Sequence, residues 1–523
     1  MKTALIIIDG LGISADQKTN PLFQSQTPFL DQIIKLGPHL VLEASAEAVG
    51  LPFGEPGNSE VGHYNLGTGE LNWQSQELIN QSIDDGSFFK NKVLIETIEN
   101  VKKNHSKLHL LGLISDGGTH SKLDHLFALL KLAKDNGLDK NQVFIHGFTD
   151  GRDTPQKSAL KYIQQIKVKI KQIGLGQIAT LCGRFYAMDR DDHFERTFLA
   201  YDAIVYGKGT FSPDANEGIG LAYQEGETDE FIKPIVILDK EQKPNAKVEK
   251  NDSLIVFNYR ADRVRQIVKA FLDPKTNRTN LIAPLLFTTM TPYETDWNLK
   301  INTVFKPITP KITISKLLAQ NNLSQLHLAE TEKYAHITYF FNGGLEKEQN
   351  KEKFLLVASP RVNSYDQTPQ MSAKEITLAL KNELNNNSYD FIAINLANCD
   401  MVGHTGNFKA IIKAAENVDH YLKLISQILD NYGYNIFITA DHGNAEQAIN
   451  PSTGEIDKQH TINPVFFINL NPDCFRPSPY LNHQTIWLNL ALEQKKAVLC
   501  DVTATLSNYL NIKNENFAGE KIL

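Results

Sequence analysis

The chain has 523 residues, 41% of them hydrophobic and 22% charged, with a formal net charge of -7. That length exceeds one ordinary domain and supplies apolar material for more than one core. The acidic balance excludes a basic nucleic-acid-binding protein, and no apolar run in the sequence approaches a membrane span.

In chain order, the first element is the apolar run at residues 4–8, which ends at Asp9. It is too short for a signal-peptide core and predicts a buried strand. Residues 108–114, 143–148, 178–182, 254–257, 354–358, 391–397 and 435–439 predict further buried strands. Amphipathic segments between them, such as 125–136 and 410–429, predict helices. Strands alternating with helices imply an α/β fold on parallel sheets. Cys182, Cys399, Cys474 and Cys500 form no CxxC pair. That excludes a zinc ribbon and a disulfide framework and fits a reducing cytoplasm.

The strand ends carry the chemistry. Asp9, Asp116, Asp150, Arg184, Arg260, Asp400 and Asp441 each closely follow a predicted strand. Turn formation accounts for any one of them. Together they mark the carboxyl ends of the strands, where open α/β sheets bind ligands.

Asp400 and His404 stand four apart, so one helical turn puts both on one face. Asp441-His442 follows the strand at 435–439, and His460 opens His460-Thr461-Ile462-Asn463-Pro464. A lone Asp-x-x-x-His is more often a surface pair. The joint set, with Asp9, suits Mn²⁺, Zn²⁺ or a similar divalent ion and exceeds the needs of one ion. Paired metals suit phosphoryl transfer, because they stabilise both the attacking and the leaving oxygen.

Ser59 lies in Gly57-Asn58-Ser59-Glu60-Val61-Gly62-His63, just ahead of a predicted helix. It reads as an N-cap and equally as a hydroxyl at a phosphate-binding helix start; the two readings are compatible. Metal or a base would activate it as a nucleophile. Arg260 and Arg263, three apart at the start of a predicted helix, would share a face as forks for phosphate or carboxylate oxygens. The alternative is a pair of solvated side chains.

Pro56-Gly57-Asn58-Ser59-Glu60-Val61-Gly62-His63, Ser115-Asp116-Gly117-Gly118-Thr119-His120, Asp150-Gly151-Arg152-Asp153-Thr154-Pro155 and Gly183-Arg184 through Asp189-Arg190 resemble the motifs of cofactor-independent phosphoglycerate mutases, of the alkaline phosphatase superfamily. So do Glu330-Thr331-Glu332-Lys333-Tyr334-Ala335-His336, Asp400-Met401-Val402-Gly403-His404, Thr439-Ala440-Asp441-His442-Gly443-Asn444-Ala445-Glu446 and the His460 motif. The resemblance covers nearly the whole chain in order.

It implies an alkaline-phosphatase-like parallel-sheet domain with an inserted α/β phosphotransferase domain. The first would comprise residues 1–74 and 312–523 and the second 75–311, with crossings near 72–76 and 306–311. It implies one metal held by Asp9, Ser59, Asp441 and His442, and another by Asp400, His404 and His460. His120, Arg152, Asp153, Arg184, Arg190, Arg260, Arg263 and Lys333 would bind substrate, with Ser59, Lys333 and Asp153 catalytic. The implied activity interconverts 2-phosphoglycerate and 3-phosphoglycerate through a phosphoserine. Two divalent metals assist, Mn²⁺ as first choice and Mg²⁺ as second, with no 2,3-bisphosphoglycerate required. The implied protein is a cytoplasmic monomer that takes a small-molecule substrate and neither nucleic acid nor membrane. The alternative is another phosphomutase or a phosphomonoesterase of the same superfamily.

Overall fold

The computed structural model describes residues 2–71, 73–276, 282–293, 299–306, 310, 312–470, 472–475, 482–512, 517 and 519–523. At the expected crossings, Asn72 and residues 307–309 and 311 lie outside the described residues. The chain divides into two compact units, Met1–Gln74 with Ile308–Leu523, and Ser75–Pro307. Among the described residues no helix is long and apolar enough to cross a membrane.

The first unit is built on an eight-stranded sheet. Its spatial order is Glu352–Val357, Gln325–Glu330, Phe391–Leu396, Thr3–Ile8, Asn435–Thr439, Val465–Leu470, His39–Glu43 and Lys495–Val498. The first five strands are parallel, while Val465–Leu470 runs antiparallel to both neighbours. Every residue of Thr3–Ile8 is buried, as expected for a central strand covered on both faces. The helices Pro28–Leu36, Ala373–Asn386 and Phe408–Asn431 pack apolar residues into the same core. Each fully buried Ile, Leu or Phe there stabilises by about 1.5–3 kcal/mol.

Register then positions the chemistry. Ile7 pairs with both Asn395 and Thr439, and Ile8 pairs with Leu396. Asp9, the helix Asn398–Gly403 that carries Asp400, and Asp441 therefore all follow the carboxyl ends of three neighbouring strands. The Asp400 N–H donates to the Asp9 carbonyl at 3.0 Å, and the Gly10 N–H to Asp441 Oδ1 at 3.1 Å.

The second unit repeats this logic with the order Asn302–Thr303, Leu286–Thr289, Ser253–Val256, Leu108–Leu113, Val143–Thr149, Gln177–Gly183, Ile235–Ile237 and Thr210–Ser212. Only the pairing of Gln177–Gly183 with Ile235–Ile237 is antiparallel among those described. The segments carrying His120, Asp150–Asp153, Arg184 and Arg260 all follow carboxyl ends of neighbouring strands. The strand predicted at 354–358 differs from expectation. Glu352–Val357 is an edge strand of the described sheet, and Leu356 on it is 50% exposed.

The second unit also holds buried histidines. His109 Nδ1 lies 2.9 Å from His146 Nε2, with Asp252 and Thr180 bonding the outer nitrogens. His125 sends Nε2–H to Asn80 Oδ1 at 2.9 Å. Burial, followed by the Lys122 charge, lowers His125 to about 3 from 6.5. Burial is also the leading cause lowering His109 and His146. The unfolded chain then binds these protons more tightly than the folded one. Stability is full above pH 6.5 and is lost progressively as pH falls toward the folded values. In urea titrations, His125→Gln, which keeps a donor toward Asn80, is expected to flatten this pH slope. The reduction is up to about 1.4 kcal/mol per pH unit between pH 6 and 4. An unchanged slope would show that His125 is not one of the groups responsible.

Candidate active site

In the first unit, the helix Ser59–Thr68 starts beside the strand-end cluster. Ser59 is not its N-cap, contrary to the expectation from sequence. Asn58 is extended at φ -148° and ψ 164°, and its Oδ1 accepts the Val61 N–H at 3.0 Å. Capping by Asn58 leaves the Ser59 hydroxyl available. Ser59 Oγ lies 2.7 Å from Lys333 Nζ, 2.9 Å from His442 Nε2 and 3.2 Å from Asp9 Oδ1. Two glycines allow this approach: a Cβ on Gly57 would meet the Ala44 carbonyl at 2.0 Å, and one on Gly62 the Asp441 carbonyl at 2.5 Å.

Lys333 follows the strand Gln325–Glu330 and is buried, with Nζ 2.6 Å from both Asp9 Oδ1 and Asp400 Oδ2. Burial alone would lower its pKa, but Asp9, Asp400 and Asp441 outweigh burial and hold it above the ordinary value. Burial likewise opposes ionisation of Asp9 and Asp400, and it is outweighed by Lys333 together with the bond from His442 at Asp9 and the bonds from His404 and His460 at Asp400, so both stay below the ordinary carboxylate value. Lys333 thus stands among the metal-ligand candidates of its own unit.

The remaining candidates fall into two trios, Asp9–Asp441–His442 and Asp400–His404–His460, with ligand atoms of each within 4.8 Å of one another. His404 Nδ1 bonds the Lys458 carbonyl at 2.8 Å, and His460 Nδ1 the Gly57 carbonyl at 2.9 Å. With both Nδ1 atoms donating, the Nε2 lone pairs face each other at 3.1 Å. Asp400 Oδ1 lies 3.3 Å from His404 Nε2 and 3.2 Å from His460 Nε2. Lone pairs converge in this way only around a cation or a shared proton. Asp441 Oδ2 is buried and has no hydrogen-bond donor among the described residues. Its neighbour His63 Nδ1, 3.1 Å away, bonds the Ser59 carbonyl instead. Burial works against a charged His442, yet Asp441, Asp9 and Asp400 raise it to about 9. A cluster that attracts protons this strongly attracts divalent cations for the same reason. The donor set fits two of them.

Sequence reading missed the side chains that orient these ligands. Asn395 Nδ2 donates to Asp9 Oδ2 and Asn444 Nδ2 to Asp400 Oδ1, each at 2.7 Å. Asn395 had a signal: it is the polar residue in the wholly buried strand Phe391–Leu396.

In the second unit, Arg184 is buried and forks onto Asp150 Oδ1 at 2.6 Å and Asp153 Oδ2 at 2.7 Å. Its other nitrogen reaches His120 Nε2 at 3.0 Å. Burial and then Arg184 lower His120 to about 4, so it stays neutral. Arg263 is held below its ordinary value by burial, then by Arg190, Arg152 and Arg184, so the four guanidinium groups share one field. Asp262, which the sequence reading did not single out, pairs with Arg190 at 3.3 Å and Arg260 at 3.1 Å. Arg260 and Arg263 are not on one helix face. They lie in the segment ahead of the helix Arg265–Leu272. A buried, neutral His120 beside clustered guanidinium groups suits a small anion with carboxylate and phosphate oxygens.

A family model described as "BPG-independent PGAM N-terminus" matches residues 79–295. Another, described as "Type I phosphodiesterase / nucleotide pyrophosphatase", matches residues 258–467. The 2,3-bisphosphoglycerate-independent phosphoglycerate mutase of Clostridioides difficile (strain 630) is 47% identical over 469 residues, covering 89% of this chain and 90% of that protein. A Methanosarcina barkeri (strain Fusaro / DSM 804) protein of the same name, numbered 1, is 44% identical over 523 residues, covering 99% and 97%. The crystal structure of Leishmania mexicana phosphoglycerate mutase at low cobalt concentration superposes with a TM-score of 0.56 at 28% identity, covering 100% of this chain and 97% of that one.

Proposed function

The chain belongs to the family of 2,3-bisphosphoglycerate-independent phosphoglycerate mutases, enzymes that interconvert 2-phosphoglycerate and 3-phosphoglycerate, and we propose that it works through a phosphoserine on Ser59. The observation that carries this reading is the Ser59 hydroxyl, released from capping by Asn58 and held within 2.7 Å of the buried Lys333 ammonium.

Asp9, Ser59, Asp441 and His442 would hold one divalent ion and Asp400, His404 and His460 the other, Mn²⁺ in first place and Mg²⁺ in second. Bound there, such ions supply Lewis acidity to the serine oxygen and the phosphoryl oxygens. Ser59 Oγ attacks as the oxyanion, its proton already given up to solvent, and forms the new P–O bond as the bond to the glycerate oxygen breaks; it is released as the same oxyanion when the phosphoryl group returns to glycerate. Lys333 offsets charge on the phosphoryl oxygens. His120, Arg152, Arg184, Arg190, Arg260 and Arg263 bind the carboxylate and phosphate oxygens of the substrate. Asp153, oriented by Arg184, returns a proton to the released glycerate oxygen and later takes one from the hydroxyl that recovers the phosphoryl group. The four free, buried cysteines suit a reducing cytoplasm, and we read the enzyme as a monomer.

The test mixes phosphate-labelled phosphoglycerate with carbon-labelled free glycerate and no bisphosphate. Full turnover with little carbon label entering phosphoglycerate is expected, since a captive hydroxyl has an effective concentration up to about 10⁵–10⁸ M. A requirement for added bisphosphate, or carbon exchange as fast as turnover, would overturn the retained-glycerate route. Arg263→Ala is expected to weaken kcat/KM by about 10- to 100-fold, the loss of one charge-assisted contact of about 1.5–3 kcal/mol. Metal uptake measured on the same variant should be unchanged; wild-type kinetics would return Arg263 to the solvated surface.

A further inference from the structure

Glu446 is fully buried, and it is neither a metal-ligand candidate nor a neighbour of the Ser59 hydroxyl. Its two oxygens collect four donors. Oε2 accepts the Gly12 N–H at 3.0 Å and the Asn444 N–H at 2.8 Å. Oε1 accepts the Thr461 hydroxyl and Asn463 Nδ2, the latter at 2.9 Å. Four donors match the acceptor capacity of one carboxylate.

Those donors come from three of the segments that carry ligand candidates. Gly12 is three residues beyond Asp9, Asn444 two beyond His442, and Thr461 next to His460. Asn444 extends the connection by donating to Asp400 Oδ1. Two glycines make room for the carboxylate. A Cβ on Gly12 would sit 2.5 Å from the Glu446 carboxyl carbon, and one on Gly443 2.5 Å from Oε1. Neither glycine has the positive φ that would call for glycine on backbone grounds. At Gly12 the space is taken by this carboxylate, and at Gly443 by the carboxylate and the Thr461 hydroxyl that donates to it.

We propose that Glu446 is a positioning residue for both cation sites. It holds the loops of Asp9, Asp441–His442, Asp400 and His460 in mutual register without ligating either ion. The proposal rests on the metal reading given above. Groups that orient metal ligands are commonly worth about 10- to 100-fold in metal affinity.

Reach and charge separate under substitution. Glu446→Gln keeps the reach and loses the charge. Its amide can face Thr461 and Asn463, whose hydroxyl and amide can turn to accept. Glu446→Asp keeps the charge but is too short to span both donor pairs. Gly12→Ala displaces an unaltered carboxylate and serves equally if the aspartate variant does not fold. The experiment is calorimetric titration of Mn²⁺ into chelator-stripped protein, with the melting temperature of each stripped protein measured alongside. Expected is a loss of about tenfold or less for Gln and about 100-fold for Asp and for Gly12→Ala, at both sites together. The stripped Gln variant should melt close to wild type. Aspartate binding as tightly as wild type, glutamine binding more weakly than aspartate, or loss confined to one site would overturn the proposal. Wild-type protein that takes up no Mn²⁺ would instead overturn the metal reading, and this inference with it.

Discussion

Ser59→Ala is expected to end mutase turnover while the protein stays folded. Only one oxygen is removed. The N-cap remains, because Asn58 supplies it. Lys333 keeps Asp9 and Asp400, two of its three acceptors. The stability cost should be about 1 kcal/mol, that of one hydrogen bond. The kinetic cost should be far larger, on the order of 10⁴–10⁶-fold, as for other enzymes that lose a serine nucleophile. The control is Asn58→Ala, which should cost about 1 kcal/mol of helix capping and leave the nucleophile in place. Rapid quench followed by mass spectrometry should find the phosphorylated peptide of residues around Ser59 in wild type and not in Ser59→Ala. Substantial turnover by Ser59→Ala would remove the serine from the mechanism.

What could be read from sequence follows from range. The strands at 4–8 and 435–439 are built on continuous apolar runs, residues 4–8 and 436–438, and a run is a local property. Their register is not local, yet parallel pairing of neighbouring strands implies that residues just beyond them, Asp9 and Asp441, emerge together. The strand Gln325–Glu330 escaped notice because Gln325, His327 and Glu330 are polar and wholly buried. Their burial is tolerated only through distant partners: Gln325 donates to the Ser315 carbonyl, and His327 Nδ1 bonds the Ile337 carbonyl at 2.7 Å. No periodicity could reveal that.

The site divides in the same way. Residue types in motifs were legible, because metal and phosphate chemistry demands Asp, His, Ser and Arg. Their backbone setting was less so. Asn58 and Ser59 are both good caps, and only the structure shows which of them points its oxygen at the Val61 N–H. The helical placement of Arg260 and Arg263 failed because the helix begins only at Arg265. Asn395 and Asn444 act on carboxylates 386 and 44 residues away, and Glu446 accepts from Gly12 434 residues away, so spacing alone could not assign their roles, although Asn395 stands out as a polar residue in an apolar strand.

Lys333→Met should combine a large kinetic loss with a metal-dependent loss of stability. The ammonium is buried between Asp9 and Asp400, 2.6 Å from each, with Asp441 adding to its field. Methionine fills much of the same volume but leaves these carboxylates with His442 and His404, two histidines whose pKa values they already raise. Breaking a buried ion pair by removing one partner costs about 3–5 kcal/mol. That cost should appear in denaturant titrations of the chelator-stripped variant. Divalent ions can replace the missing charge, so adding Mn²⁺ should restore more stability to the variant than it adds to wild type. Turnover should not return with it. Lys333 Nζ stands 2.7 Å from Ser59 Oγ, where charge on the transferring group develops, and losing one such preorganised donor costs about 10²–10³ in kcat. A stripped variant as stable as stripped wild type would mean the carboxylates do not need the ammonium. Restored turnover on adding Mn²⁺ would mean that Lys333 serves the fold and not the phosphoryl group.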